Sequence, residues 1–187
     1  MRRILALCLC LLPLAGQARD IDGVAVPEKI TVTGGGSTLV LNGAGLRTRY
    51  WVKVYVVGLY LPQPETTAAA VLEGRADRVI GIHMRRDSDS EQIATAFLTS
   101  VSQNHTRAEM QAMQDRVTQF RLLMPSLKRN DVLRLEFPAS GETRVVLNDD
   151  VRGTIKGADF QRALLKIWLG DKPVDEGVKH LLLGAKP

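Results

Sequence analysis

The sequence predicts an α+β fold, a largely antiparallel sheet covered on one side by helices. Three observations carry this expectation. Runs rich in Val, Leu, Thr and Tyr, punctuated by Gly and Pro, lie at both ends of the chain. Segments with apolar residues three and four apart are grouped between and after those runs. Residues 132–157 read as three short strands joined by tight turns, a meander that only an antiparallel sheet accommodates.

The elements follow in order. ITV (30–32) and TLVLNGAGLRTRY (38–50) flank a Gly34-Gly35-Gly36 turn. A tight turn leads into a second long strand, Trp51 to Leu61, which Pro62 and Pro64 stop. Thr66 to Glu73 is a short helix ended by Gly74, and RVIGIHMR (78–85) is a strand. Ser88 with Glu91, and Thr106 with Glu109, have the spacing of capping boxes and predict two helix starts. The first helix presents Ile93, Phe97 and Val101 on one face; the second presents Met110, Met113, Val117 and Phe120. After VLRLEF (132–137), TRVVLN (143–148) and VRGTIKG (151–157), a helix carries Phe160, Ala163, Leu164, Ile167 and Trp168 on one side. Gly170 and Pro173 end it, and a last short helix carries Val178, Leu181 and Leu182.

Domain organisation is simple. MRR, a short apolar run ILALCLCLLPLAG and the small residues at Gly16 and Ala18 have the layout of a secretory signal peptide over residues 1–18. The run is roughly 13 residues, short of the roughly 20 that span a bilayer. Residues 19–187 are then one domain, exported and expected in the periplasm, with no transmembrane span. Cys8 and Cys10 leave with the leader, so the mature chain has neither a disulfide framework nor a catalytic thiol. Without Arg2 and Arg3 the net charge falls to about +3, with the basic residues scattered, which argues against a nucleic-acid partner.

Little in the mature chain resembles catalytic machinery. His83, His105 and His180 stand far apart without spaced partners, so no metal site is expected. GGGS (34–37) lacks the lysine of a phosphate loop, and Asp149-Asp150 falls where a hairpin turn is expected. No cofactor is implied. Arg47 is left, set among glycines and leucines, with Tyr50, Tyr55 and Tyr60 following. Either its head reaches water from a strand edge, or it is buried and needs an anion. A ligand carboxylate would suit it, since a guanidinium gives planar two-pronged bonding and a tyrosine hydroxyl adds a donor.

GAGLR (43–47) followed by WVKVYVVGLYL (51–61) resembles the paired strands of the chalcone isomerase family. FQRALLKIWLGDKPVD (160–175) is similar to the family's final helices, and RVIGIHMRRDSDSEQIATAF (78–97) matches its middle strand and helix more loosely. The likeness is to the bacterial, exported branch, and it implies an open-faced sandwich of one sheet and one helical layer. By resemblance, Arg47 matches an arginine that binds an anionic oxygen. Tyr55 falls at a position where the plant enzymes carry threonine, and it could pair with Arg47 as a tyrosine does in the fatty-acid-binding branch. The plant enzymes' catalytic tyrosine aligns near Asp89, their asparagine near Ala96, and a hydroxyl residue with Ile167, followed by Trp168. Three polar partners of flavanone cyclisation are therefore absent, and the pocket is drier.

The expected function is non-catalytic binding of a small apolar anionic ligand, fatty-acid-like, at Arg47, Tyr55, Ile167 and Trp168. Two other readings stay open. One is an intramolecular lyase or isomerase acting on a chalcone-like or other unsaturated phenolic substrate, with Arg47 as electrostatic anchor. The other is a structural or interaction protein in which a buried acid satisfies Arg47.

Overall fold

A hairpin absent from the expected elements opens the structure, a computed structural model that describes residues 17–186. Its strands are β1 (Ala18–Ile21) and β2 (Val24–Pro27), joined through Asp22-Gly23. Asp-Gly is a strong two-residue turn signal, and it was legible at 22–23. The signal peptide expected at 1–18 lies outside the described residues except for its last two: the Gln17 carbonyl accepts from the Glu28 amide and Ala18 pairs with Pro27.

The main sheet has seven strands in sequence order, all antiparallel: β3 (Lys29–Thr31), β4 (Thr38–Arg49), β5 (Val52–Leu61), β6 (Arg78–Met84), β7 (Val132–Phe137), β8 (Glu142–Leu147) and β9 (Asp150–Lys156). The helices are α1 (Ala68–Glu73), α2 (Ser90–Gln103), α3 (Arg107–Ala112), α4 (Gln114–Leu123), α5 (Ala158–Leu169) and α6 (Glu176–Leu182). This is the α+β architecture expected, with the helices on one side. The other side is partly covered by the β1–β2 hairpin, through Val26, Leu39, Leu41, Val56, Tyr60 and Val79.

Local differences have local causes. Asp89, not Ser88, caps α2 by accepting from the Gln92 amide at 2.8 Å. Ser88 is held instead in a backbone bridge with Leu127. The Thr106–Glu109 capping box forms as expected, but the helix it starts breaks at Met113 into α3 and α4. The strand expected from Trp51 begins at Val52, because Tyr50 and Trp51 form the turn. In α5 the predicted stripe of Phe160, Ala163, Leu164, Ile167 and Trp168 is buried, and so are Gln161, Leu165 and Leu169 on its other sides. The helix is thus the central rod of the core.

Two bulges shape β4 and β5. Between Leu41 and Gly43 the register shifts by one, leaving Asn42 unpaired. Its side chain bonds the Glu65 backbone on both sides and the Leu182 carbonyl at 2.7 Å, tying the end of α6 to the sheet. Beyond the bulge, Gly43, Gly45 and Arg47 share the helix-covered face, opposite Leu59, Val57 and Tyr55. A Cβ on Gly43 would collide with the Leu181 carbonyl oxygen and lie 2.8 Å from that of Leu182. The glycine therefore lets the α6 backbone rest on the strand, and backbone cannot swing aside as a side chain could. Gly43→Ala is expected to destabilise the fold by about 1–3 kcal/mol. A urea midpoint equal to that of the parent would show that α6 does not seat here.

Candidate functional site

Arg47 and Tyr55 are directly opposed on β4 and β5. On neighbouring antiparallel strands such a pair projects to one face, here the one under the helices. Both expected anchors therefore come together. The second bulge follows at once: Arg47 pairs with Tyr55 but Thr48 pairs with Lys53, leaving Val54 extra. A bulge places adjacent residues toward one side, and Val54 and Tyr55 both border the same void.

Arg47 is mostly buried, its side chain 17% exposed. Its Nη1 donates to the Thr48 carbonyl and, at 3.2 Å, to Oδ2 of Asp175. Asp175 is also the N-cap of α6, accepting from the Val178 amide at 3.1 Å through Oδ1. One carboxylate thus caps a helix and faces the arginine. Nε and Nη2 of Arg47 make no protein hydrogen bond among the described residues. The guanidinium therefore meets an internal acid through Nη1, while its three other donors, on Nε and Nη2, stay uncommitted among the described residues.

Tyr55 accepts a hydrogen bond from Trp168 Nε1 at 3.3 Å. Its own proton has no acceptor among the described residues and remains available to a ligand. Burial pushes the phenol pKa upward, against smaller lowering from the Trp168 bond and Arg47. A phenol shifted in that direction stays neutral at neutral pH, a donor and not a base. Trp168 and Ile167 are 1% and 3% exposed. Trp168 reaches the site through its indole nitrogen and stacks edge-on against Phe97, with centroids 5.8 Å apart. Neither Ile167 nor Trp168 lines the void itself.

That void is a cavity of about 370 Å³ between the sheet and α2. Tyr55, Ile82 and Leu133 line it from the sheet, and Ile93, Ala96 and Phe97 from α2. Leu127 and Met84 close the sides. Its polar border is Arg49, Arg86, Ser88 and Gln92, of which both arginines are exposed. The cavity thus runs from a basic, exposed rim to an apolar interior with Tyr55 on its wall. Arg47 is not among the lining residues; Tyr55, opposite it, is. Ala96 replaces with a methyl what the resemblance expected as asparagine, and Asp89 is committed to its helix cap.

Sequence reasoning missed the rim. Arg49 was findable, because a residue two along from Arg47 on a strand shares its face. Arg86 was not, since only the fold brings the loop after β6 beside the start of β5 and onto the rim that Arg49 borders. Arg47 is also not the most buried arginine. Arg78 is 6% exposed, donating to the Val71 carbonyl at 2.9 Å and to Gln161 Oε1 at 3.2 Å. A second cavity, of about 310 Å³, lies on the opposite face beside Tyr60 and His83. Its arginine, Arg134, is already paired with Asp149 at 2.9 Å and Glu136 at 3.4 Å, so the space offers an anion less.

Comparison with known proteins bears on the fold. A solved structure of a fatty-acid binding protein from Arabidopsis thaliana superposes with a TM-score of 0.60, covering 83% of this chain and 96% of that one at 15% identity. At that identity the likeness concerns the fold. No curated protein sequence is significantly similar to the chain. The model of the family described as chalcone isomerase-like matches residues 18–184, nearly all of the described chain, and the protein therefore belongs to the chalcone isomerase-like family.

Proposed function

We propose that the protein binds a fatty-acid-like carboxylate without chemical turnover, its acyl chain in the 370 Å³ cavity and its head group at Tyr55 and Arg47. The observation that carries this is an apolar cavity whose wall holds a neutral, singly satisfied phenol directly opposite a guanidinium with spare donors. Ligand sites are typically apolar hollows of roughly 300–1,000 Å³ with a few convergent polar groups. The void sits at the small end of that range, and its lining is mostly apolar. The fatty-acid binding protein that shares the fold supports the same class of ligand. Ile167 and Trp168 serve this site from behind, Trp168 by orienting the Tyr55 hydroxyl.

Intramolecular cyclisation is less well supported. It needs a base or several donors placed around an oxyanion. Tyr55 is held neutral, Ala96 is apolar and Asp89 is spent on a cap. We also propose export to the periplasm, from the basic and apolar layout of residues 1–18. Cell fractionation and the N-terminus of the purified protein check it.

Native mass spectrometry of protein purified from cells, with displacement of a fluorescent fatty acid, tests the binding. Ala96→Trp, which fills the cavity from α2, is expected to abolish displacement while leaving the far-UV circular dichroism unchanged. An unloaded parent that does not bind the probe would refute the proposal. So would an Ala96→Trp variant that binds as the parent does.

A further inference from the structure

Among the described residues, three two-residue hairpin turns have positive φ at both central residues. Two use residues that tolerate this backbone: Asp22-Gly23 (φ 54° and 76°) and Asn148-Asp149 (φ 49° and 73°). The third, between β4 and β5, uses Tyr50 and Trp51, at φ 48° and 67°. Bulky side chains are outliers in this region, at a cost of roughly 1–2 kcal/mol per residue. No packing offsets that cost, because Tyr50 is 82% and Trp51 99% exposed, with Val52 beside them at 44%. The fold therefore holds two aromatic side chains in water, in a conformation that asparagine and glycine would occupy with less strain.

We propose that this tip docks the protein on an anionic lipid bilayer, with the mouth of the cavity turned toward the lipid. The inference rests on the acyl-chain pocket proposed above and adds where its ligand comes from. Trp and Tyr favour the membrane interface, where an apolar ring and a polar edge are both accommodated. The charge around the tip is complementary. Arg49, 5.3 Å from the Tyr50 ring, and Arg86 form no ion pair among the described residues. Lys53 and Arg85 share the single carboxylate of Asp22, at 2.7 and 3.2 Å, and Asp87 is matched by Lys128 at 3.0 Å. The region is left net positive, and each basic residue near an anionic surface adds roughly fivefold to affinity.

Geometry favours a bilayer over a protein partner. Two side chains on a narrow hairpin end are convex, and fall far short of the roughly 800 Å² per partner of a stable protein interface. They suit insertion between lipid head groups. Arg49, Tyr50 and Val52 also line the cavity whose interior is apolar. An acyl chain could pass from bilayer to cavity without crossing water.

The test is co-sedimentation of the purified protein with phosphatidylglycerol–phosphatidylcholine vesicles, against vesicles of phosphatidylcholine alone. Binding to the anionic vesicles is expected, weakening as salt is raised. Trp168 is 1% exposed, so a blue shift of tryptophan emission on adding vesicles reports Trp51. Trp51→Gly suits the positive φ, and Trp51 lies outside the cavity lining. It should keep or raise the melting temperature, retain fatty-acid displacement in vesicle-free buffer, and lose about tenfold or more in vesicle affinity. Parent protein that neither sediments with anionic vesicles nor shows the blue shift overturns the proposal. Trp51→Gly that sediments like the parent overturns it too. Vesicle binding with no fatty-acid displacement would instead sink the pocket and leave the docking surface standing.

Discussion

Arg47→Ala is expected to weaken binding of a long-chain carboxylate by about 10- to 100-fold, the worth of a charge-assisted hydrogen bond. On its own that result would not separate an anchor from a structural arginine, because the change also strips a partner from Asp175, 3.2 Å away. Asp175→Asn separates them. Asparagine still caps a helix about as well as aspartate, so the start of α6 and its Val178 bond are preserved. The competing negative charge is gone. If Arg47 holds the ligand, Asp175→Asn should raise affinity for the carboxylate as surely as Arg47→Ala lowers it. If Arg47 only fastens β4 to α6, both variants should lower stability and leave the fluorescent fatty acid equally well bound. Titration of the two side by side decides the matter, and a matching alcohol as ligand should be indifferent to both.

Glu136→Ala is expected to cost about 3 kcal/mol of folding stability, near the low end for opening a buried ion pair. Glu136 is fully buried on β7. It accepts from the Thr33 amide at 3.1 and 3.2 Å and from the Thr33 hydroxyl at 2.8 Å, and it faces Arg144 at 3.3 Å and Arg134 at 3.4 Å. Truncation leaves two guanidinium groups, 17% and 20% exposed, beside a void. The loss is held to the low end because Arg144 keeps Glu142 and Arg134 keeps Asp149, each at 2.9 Å. The Thr33 turn, which Glu136 pins across the sheet, should become the first region to exchange its amides. A urea-derived change below 1 kcal/mol would show that solvent already carries this network.

The elements were legible because their causes are local. Thr106 and Glu109 meet across one helical turn, so the capping box could be read and is present. The spacing of Phe160, Ala163, Leu164, Ile167 and Trp168 placed the buried face of α5 correctly. Asp22-Gly23 was equally local and went unread, which cost the first hairpin. Tyr50 and Trp51 misled for a different reason. Aromatics favour strands, and nothing in their identity announces a turn at positive φ. The register across β4 and β5 put them there, overriding propensity.

The site divides along the same line. That Arg47 and Tyr55 share a face was decided by the bulge at Val54, since a regular two-residue hairpin would set Arg47 opposite Val54 and turn Tyr55 to the other face. The sequence by itself determined that an arginine and a tyrosine would stand on adjacent strands. It also determined that the residues around them would be apolar. Only the tertiary structure decided what the guanidinium meets, since Asp175 lies 128 residues away along the chain. It likewise decided that Arg49 and Arg86 would rim the cavity and that α2 would wall it with Ala96 and Phe97. Periodicity, caps and turns act over a few residues and are written in order. Ion pairs and cavities are properties of surfaces that close on one another, and they come into being only when the chain has folded.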